Sequence, residues 1–228
     1  MNYKDKLETD GYFILQNVFT KNEINLYKND ILNYLENNKT LKNAGGISIP
    51  DFIKKDELKN VTNMKNNEKI HAVLKDIFNG NYRFCSHNDI GINRIVGWHK
   101  DKLNGAVSKY QINDIWKEFN GVKHEIVKVL IYLEDHSNDN DGLKLVPKSH
   151  VIRQINPKNY IQLKPSIGDV IIFDQRITHR GMVKRVPHPR ILVSFGFGKN
   201  NIFTDNFEKG TIIRQNKQNL KLIEHINK

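Results

Sequence analysis

Four consecutive residues, Trp98-His99-Lys100-Asp101, carry the first pattern able to do chemistry. On an extended strand, side chains two apart point to the same face. His99 and Asp101 can therefore reach one metal ion while Lys100 between them points away. A His-x-Asp pair recurs by chance, and a metal needs a third ligand from elsewhere. His179 stands just beyond the apolar run Gly168-Asp-Val-Ile-Ile-Phe-Asp174 and can supply it. Two imidazoles and one carboxylate form the facial donor set of non-haem Fe(II) oxygenases, which leaves three positions open for a chelating cosubstrate and O2. Eleven residues after His179, Arg190 opens the run Ile191-Leu-Val-Ser-Phe-Gly-Phe197. Its planar donor fork matches a carboxylate. At the far end of a barrel pocket it would clamp the distal carboxylate of 2-oxoglutarate, with Ser194 adding a hydroxyl hydrogen bond. Read by itself, Arg190 better fits an ion pair at the surface or at a barrel end.

Other residues of ligating type carry less. His71, His87, His124, His136, His150, His188 and His225 could each be called ligands. His150 closes the turn Pro147-Lys-Ser-His150 and reads as structural, and His188 between two prolines reads as exposed. Ser137-x-Asp139-x-Asp141-Gly142 fails as a calcium loop, at its first position and at Lys148, where a bidentate Glu is needed. Cys85 lies in an apolar run and reads as an inert buried thiol.

These residues must be held by elements. Residues 12–19 form a strand-like apolar run after an Asp10-Gly11 turn signal. Thr20 and Glu23 have the spacing of a capping box. Ile24, Tyr27, Ile31, Tyr34 and Leu35 then repeat at helical spacing, which predicts a helix over 21–37. A second helix is expected over 67–78, ending at Asn79-Gly80. From residue 82 the pattern changes to short strands, expected at 82–87, 90–96, 127–134, 143–146, 150–155, 169–174 and 190–197. With no helical pattern between them, they predict an antiparallel sandwich or barrel. Residues 102–121, polar and carrying Tyr110, Trp116 and Phe119, interrupt the strands as a candidate lid or a segment with its own helix. Residues 216–226 read as a terminal helix. The expected layout is one domain: a strand and helices over 1–81, a β core over 82–200, and an extension with a helix over 201–228.

The chain has 228 residues, of which 38% are hydrophobic and 27% charged. That composition suits a folded globular chain. No apolar run reaches the length of a membrane helix. Charges near the N-terminus argue against a secretory signal, and a single cysteine rules out an internal disulfide and a Cys-rich zinc site. A cytoplasmic location is the expectation. The formal net charge of +11 admits an anionic partner, but the Lys and Arg residues are scattered among Asn and Ile without a basic block, so nucleic acid is not expected. Lys100, Lys102, Lys109, Lys144, Lys148, Arg176, Arg180, Lys184 and Arg185 fall in segments expected around the pocket mouth, where they would attract an anionic substrate or remain solvated.

In order and spacing, Trp98-His-Lys-Asp101, Val129-Leu-Ile-Tyr-Leu-Glu-Asp135, Asp141-Gly-Leu-Lys-Leu-Val-Pro-Lys-Ser-His150, Gly168–Asp174, His179-Arg-Gly181 and Arg190 resemble the phytanoyl-CoA dioxygenase family. The opening Asp10–Phe19 and its capped helix are similar too, so the resemblance covers about residues 8–200. It implies a mainly β fold with flanking helices, a double-stranded β-helix of the jelly-roll or cupin kind. It further implies iron held by His99, Asp101 and His179, and 2-oxoglutarate held by Arg190. The implied reaction uses Fe(II), O2 and 2-oxoglutarate to hydroxylate a small metabolite or carrier-linked group, releasing succinate and CO2; an anionic substrate would suit the basic residues. Two features depart from the family pattern: Lys148 stands where a turn glycine is usual, and Asp141-Gly142 replaces a glycine pair. Related halogenases replace the metal carboxylate by a small residue, whereas Asp101 is present and favours hydroxylation. A cupin-like metalloenzyme that does not use 2-oxoglutarate, and a non-catalytic jelly-roll binding protein, are the alternatives. Oligomeric state is not legible.

Overall fold

The computed structural model describes residues 2–38, 41–43, 46–101, 126–137, 142–181 and 189–226. The expected lid over 102–121, Asp139 and Asp141, His124 and His188, Lys102, Lys109, Lys184 and Arg185, and the His225 side chain lie outside what is described.

Helix α1 (Tyr3–Asp10) ends at Gly11, whose φ of 84° supplies the left-handed cap. Strand β1 (Tyr12–Leu15) leads to α2 (Lys21–Asn37), where the Thr20–Glu23 capping box forms as expected. There follow β2 (Leu41–Asn43), β3 (Gly46–Pro50), α3 (Lys59–Asn63), α4 (Glu68–Ile77) and β4 (Tyr82–Ile92). Beyond the undescribed stretch come β5 (Ile126–Tyr132), β6 (Lys144–Leu145), β7 (Ile161–Gln162), β8 (Val170–Asp174), β9 (His179–Arg180), β10 (Ile191–Lys199) and α5 (Ile202–Ile226).

Among the described residues all the strand pairs are antiparallel. A seven-stranded sheet runs β1-β8-β5-β10-β4-β3-β2, and a three-stranded sheet runs β7-β6-β9. The fold is thus mainly antiparallel sheet with flanking helices. Strand alternation divides the large sheet into two faces. Val127, Val129 and Ile131 of β5, Val170 and Ile172 of β8, and Val193 and Phe195 of β10 join one core with Leu7, Ile24, Ile31 and Leu74 from the helices. The intervening Leu130, Tyr132, Ile171 and Phe173 point the other way and pack with Leu143, Leu145 and Leu163. One face is therefore sealed by helices, and the other, under the small sheet, holds the cavity.

Several expectations change. The two strands expected over 82–87 and 90–96 are one strand ending at Ile92. It carries an irregularity opposite β10, where Phe195 pairs with Asn88 but Phe197 with Phe84, and Ser86 takes a φ of 57°. Asn93, at φ 51°, turns the chain out of the sheet. No strand forms over 150–155: Ser149–Val151 is one 3-10 turn, and the side chains of Val151 and Ile152 that suggested a strand are exposed. The terminal helix begins at Ile202 rather than 216.

Candidate active site

The segments that carry the candidate ligands meet through their backbones. His99 and His179 form an antiparallel bridge, each N–H donating to the other's carbonyl at 2.9 Å. His99 thereby extends the small sheet, and the two imidazoles lie with ring centroids 4.1 Å apart. Asp101 joins them, so that one ligand atom from each of His99, Asp101 and His179 lies within 4.8 Å of the others. The three residues named from sequence converge.

Each imidazole has a fixed orientation. His99 Nδ1 is 2.9 Å from the Gly97 carbonyl and His179 Nδ1 is 3.0 Å from the Ile177 carbonyl. A carbonyl only accepts, so both Nδ1 atoms carry the proton and both Nε2 lone pairs are left for the cluster. Asp101 Oδ1 lies 3.4 Å from His99 Nε2 and 3.9 Å from His179 Nε2, while Oδ2 is taken by Lys128 Nζ at 3.0 Å. Burial alone would raise the Asp101 carboxyl, but Lys128 and the histidines outweigh it and hold it well below the ordinary range. Burial, helped by His99, pulls His179 down to about 3. A neutral His179 beside an ionised Asp101 carboxylate is the protonation pattern a metal requires.

Lys100 points away from this cluster. It is fully buried, donating from Nζ to the Ser149 carbonyl at 2.6 Å and the Arg176 carbonyl at 2.7 Å. Ser149 Oγ in turn accepts from the Thr178 N–H at 2.8 Å. One side chain thus ties the His99–Asp101 segment to the turn preceding His179. Arg176, also placed at the mouth on sequence grounds, is buried against Asp174, with a 2.6 Å ion pair. Lys148 is exposed in the left-handed conformation, at φ 65°. Lys144 and Arg180 lie over the rings of Tyr160 and Trp98. None of these five lines the cavity.

The cavity of about 460 Å³ is bounded by β4, β5, β8, β10, the small sheet and α5, and His99, Asp101 and His179 sit in its wall. That volume suits a small-molecule site. Arg190 lies in it, 5% exposed, its Nη2 donating to His136 Nδ1 at 2.9 Å. Ser194 is also buried there, but its hydroxyl donates to the Asp89 carbonyl at 3.1 Å, so it offers the cavity lone pairs instead of a proton.

Several further polar residues of the cavity wall were not singled out as site residues from sequence. Lys128 alternates into the cavity from an otherwise apolar strand. Asp89, whose β4 position faces Ser194, holds both nitrogens of Arg214 at 3.0 and 2.8 Å. His87 is 5% exposed, and neither ring nitrogen has a hydrogen-bond partner among the described residues; burial pulls it down to about 3. Arg214 was hidden because its helix lacks an apolar stripe.

The two-sheet fold, with two histidines and an aspartate clustered in the wall of its cavity, is the arrangement of double-stranded β-helix, iron-dependent oxygenases. The model of the phytanoyl-CoA dioxygenase (PhyH) family matches residues 7–191, and the chain belongs to that family. It is accordingly an enzyme of the iron- and 2-oxoglutarate-dependent oxygenase type. Among solved structures it is similar to the non-heme alpha-ketoglutarate-dependent epimerase SnoN from nogalamycin biosynthesis, at a TM-score of 0.68 and 13% identity over 89% of this chain and 87% of that one. It is also similar to HygX from Streptomyces hygroscopicus with nickel and 2-oxoglutarate bound, at 0.66 and 15% over 85% of each chain. The carbocyclase SnoK from nogalamycin biosynthesis matches at 0.66 and 14%, over 86% of this chain and 82% of that one. A comparison with curated proteins gave no match.

Proposed function

We propose that the protein is an Fe(II)- and 2-oxoglutarate-dependent dioxygenase that hydroxylates a small metabolite or carrier-linked substrate in the cytoplasm, releasing succinate and CO2. The observation that carries this reading is the convergence of His99 Nε2, His179 Nε2 and Asp101 Oδ1 in the wall of a cavity that also contains a buried arginine. The donor set fits iron: two nitrogens of fixed tautomer and one ionised oxygen, with the cavity side open. Bound iron with 2-oxoglutarate supplies the oxidising power, coupling O2 reduction to cosubstrate decarboxylation and C–H oxidation.

The chain's own part is positioning. Gly97 and Ile177 carbonyls aim the two imidazoles, and Lys128 turns Asp101 so that one oxygen faces them. Arg190 clamps the distal carboxylate of 2-oxoglutarate, with His136 steering its guanidinium. Ser194 fixes the neighbouring β4 backbone, and its lone pairs bound the cosubstrate space. Leu130, Tyr132, Phe173 and Leu192 line the same cavity and exclude water. Hydroxylation is favoured by the presence of Asp101; because the similar SnoN and SnoK are an epimerase and a carbocyclase, product analysis is the deciding measurement.

The test is anaerobic Fe(II) binding and 2-oxoglutarate titration, followed by succinate assay. His179→Ala and Asp101→Ala should weaken metal binding by about 100-fold or more. Arg190→Gln should retain metal and lose cosubstrate affinity by about tenfold or more. Full metal binding in both ligand variants would overturn the metal assignment.

A further inference from the structure

Among the described residues, four cations line the cavity: Arg94, Lys128, Arg190 and Arg214. Three of them have an anion to meet. Lys128 pairs with Asp101 and Arg214 with Asp89, and Arg190 is assigned above to the distal carboxylate of 2-oxoglutarate. Arg94 is left over. Among the described residues no carboxylate is within ion-pair contact of it, and its buried Nε has no hydrogen-bond partner. Asp89, which faces it electrostatically, is already spanned by both nitrogens of Arg214.

Its position separates it from the cosubstrate clamp. Asn93 leaves the large sheet with its N–H donated to the Arg190 carbonyl, so Arg94 and Arg190 start from neighbouring backbone. From there the side chains diverge. Arg190 is drawn toward His136, beyond the end of β5. Arg94 folds back over Gly91 of β4, where a Cβ would stand 3.1 Å from its Cδ. The glycine leaves the trough in which the arginine lies. Along this wall follow Asp89, His87 and, from α5, Arg214 and Gln218. Gln218 Oε1 accepts from Arg214 at 2.9 Å, leaving its amide N–H groups as donors. Burial pulls Arg94 below the ordinary arginine range despite Asp89, with Arg214 adding to the effect; a second anion would relieve that cost.

We propose that Arg94 is the anchor for an anionic group, a carboxylate or a phosphate, on the primary substrate, held at the β4–α5 wall of the cavity with Gln218 as an adjoining donor. The assignment rests on the reading of Arg190 as the cosubstrate clamp. It commits the substrate to carrying a negative charge.

The test uses the full chain loaded with Ni(II) and saturated with 2-oxoglutarate. Propionate and methylphosphonate are the anionic probes and propionamide the neutral one, with affinities from ligand-observed NMR. At least one anion should bind and propionamide should not; which anion binds more tightly separates carboxylate from phosphate recognition. Arg94→Gln should weaken that anion by about tenfold or more, and Arg94→Lys by less, with the 2-oxoglutarate dissociation constant changed by less than about threefold in both. The proposal is overturned if neither anion binds, if Arg94→Gln leaves anion binding unchanged, or if it lowers 2-oxoglutarate affinity as Arg190→Gln does. Should 2-oxoglutarate fail to bind the wild-type protein at all, the proposed function falls, and the same anion titration without cosubstrate still decides the role of Arg94.

Discussion

At the scale of single residues, positions are fixed by backbone carbonyls as much as by side chains. Gly97 and Ile177, each two residues before a histidine, select its tautomer. That was not legible from sequence, because any residue offers a carbonyl. His99, Asp101 and His179 were legible because their types and spacing are restrictive. Lys128, Asp89 and Arg214 were not, since a lone charged residue in a strand or helix reads as solvated. Lys148 shows a different cost. The turn that is usually made with glycine is made here with a lysine at φ 65°, stabilised by its N–H donating to the Asp10 carbonyl at 2.9 Å. Holding a residue with a Cβ there costs about 1–2 kcal/mol, partly offset by the greater unfolded-state freedom of glycine. Lys148→Gly is therefore expected to raise the unfolding free energy by about 0.5–1 kcal/mol, read as a higher urea midpoint at unchanged slope. A lower midpoint would mean that the lysine side chain makes a stabilising contact there.

At the scale of elements, what could be read depended on whether a stripe of apolar residues does the packing. Helix α2 was legible from its capping box and periodicity, and β5, β8 and β10 from their apolar runs. The first half of α5 was missed because polar groups dock it: buried Thr204, Asn206, Thr211, Arg214 and Gln215 face β4 and its neighbours, with Gln215 donating to the Ser86 carbonyl at 3.1 Å. The two-residue strands β6, β7 and β9 are too short to show a period. The irregularity in β4 brings it close to β10, where a Cβ on Gly196 would stand 2.8 Å from His87 Cβ and 2.9 Å from Cys85 Sγ. Gly196→Ala should destabilise the protein by roughly 1–3 kcal/mol and shift β4 in the cavity wall. A drop in melting temperature together with altered metal affinity is the expected result; an unchanged melting temperature would show that the strand yields freely.

At the scale of the whole molecule, the net charge of +11 is spent in several places: buried supports such as Lys100 and Arg176, cavity cations, and solvated lysines. Among the described residues, no helix is long and apolar enough to cross a membrane. Stability should depend on pH through the buried histidines. His87 and His179 are both pulled down to about 3, mainly by burial, whereas the unfolded chain protonates histidine near 6.5. As pH falls below 6.5 the unfolded state takes up protons that the folded state refuses. The stabilisation is complete above that value and is lost toward 3, at roughly 1.4 kcal/mol per pH unit for each histidine. Urea midpoints of metal-free protein should fall from pH 7.5 to 5, and His87→Asn should flatten that dependence. A midpoint that rises on acidification would contradict the assignment.

The position of β10 between β5 and β4 also bears on biosynthesis. The C-terminal end of β4 leaves the ribosome about 100 residues before β10 begins, a wait of roughly 5–20 s at ordinary elongation rates. During that interval β4, and β5 once it is made, present apolar, unpaired edges, and the two histidine segments cannot yet meet. A metal held by His99, Asp101 and His179 would arrive too late to guide this stage. The yield of folded protein should therefore follow holdase supply and growth temperature more closely than iron in the medium.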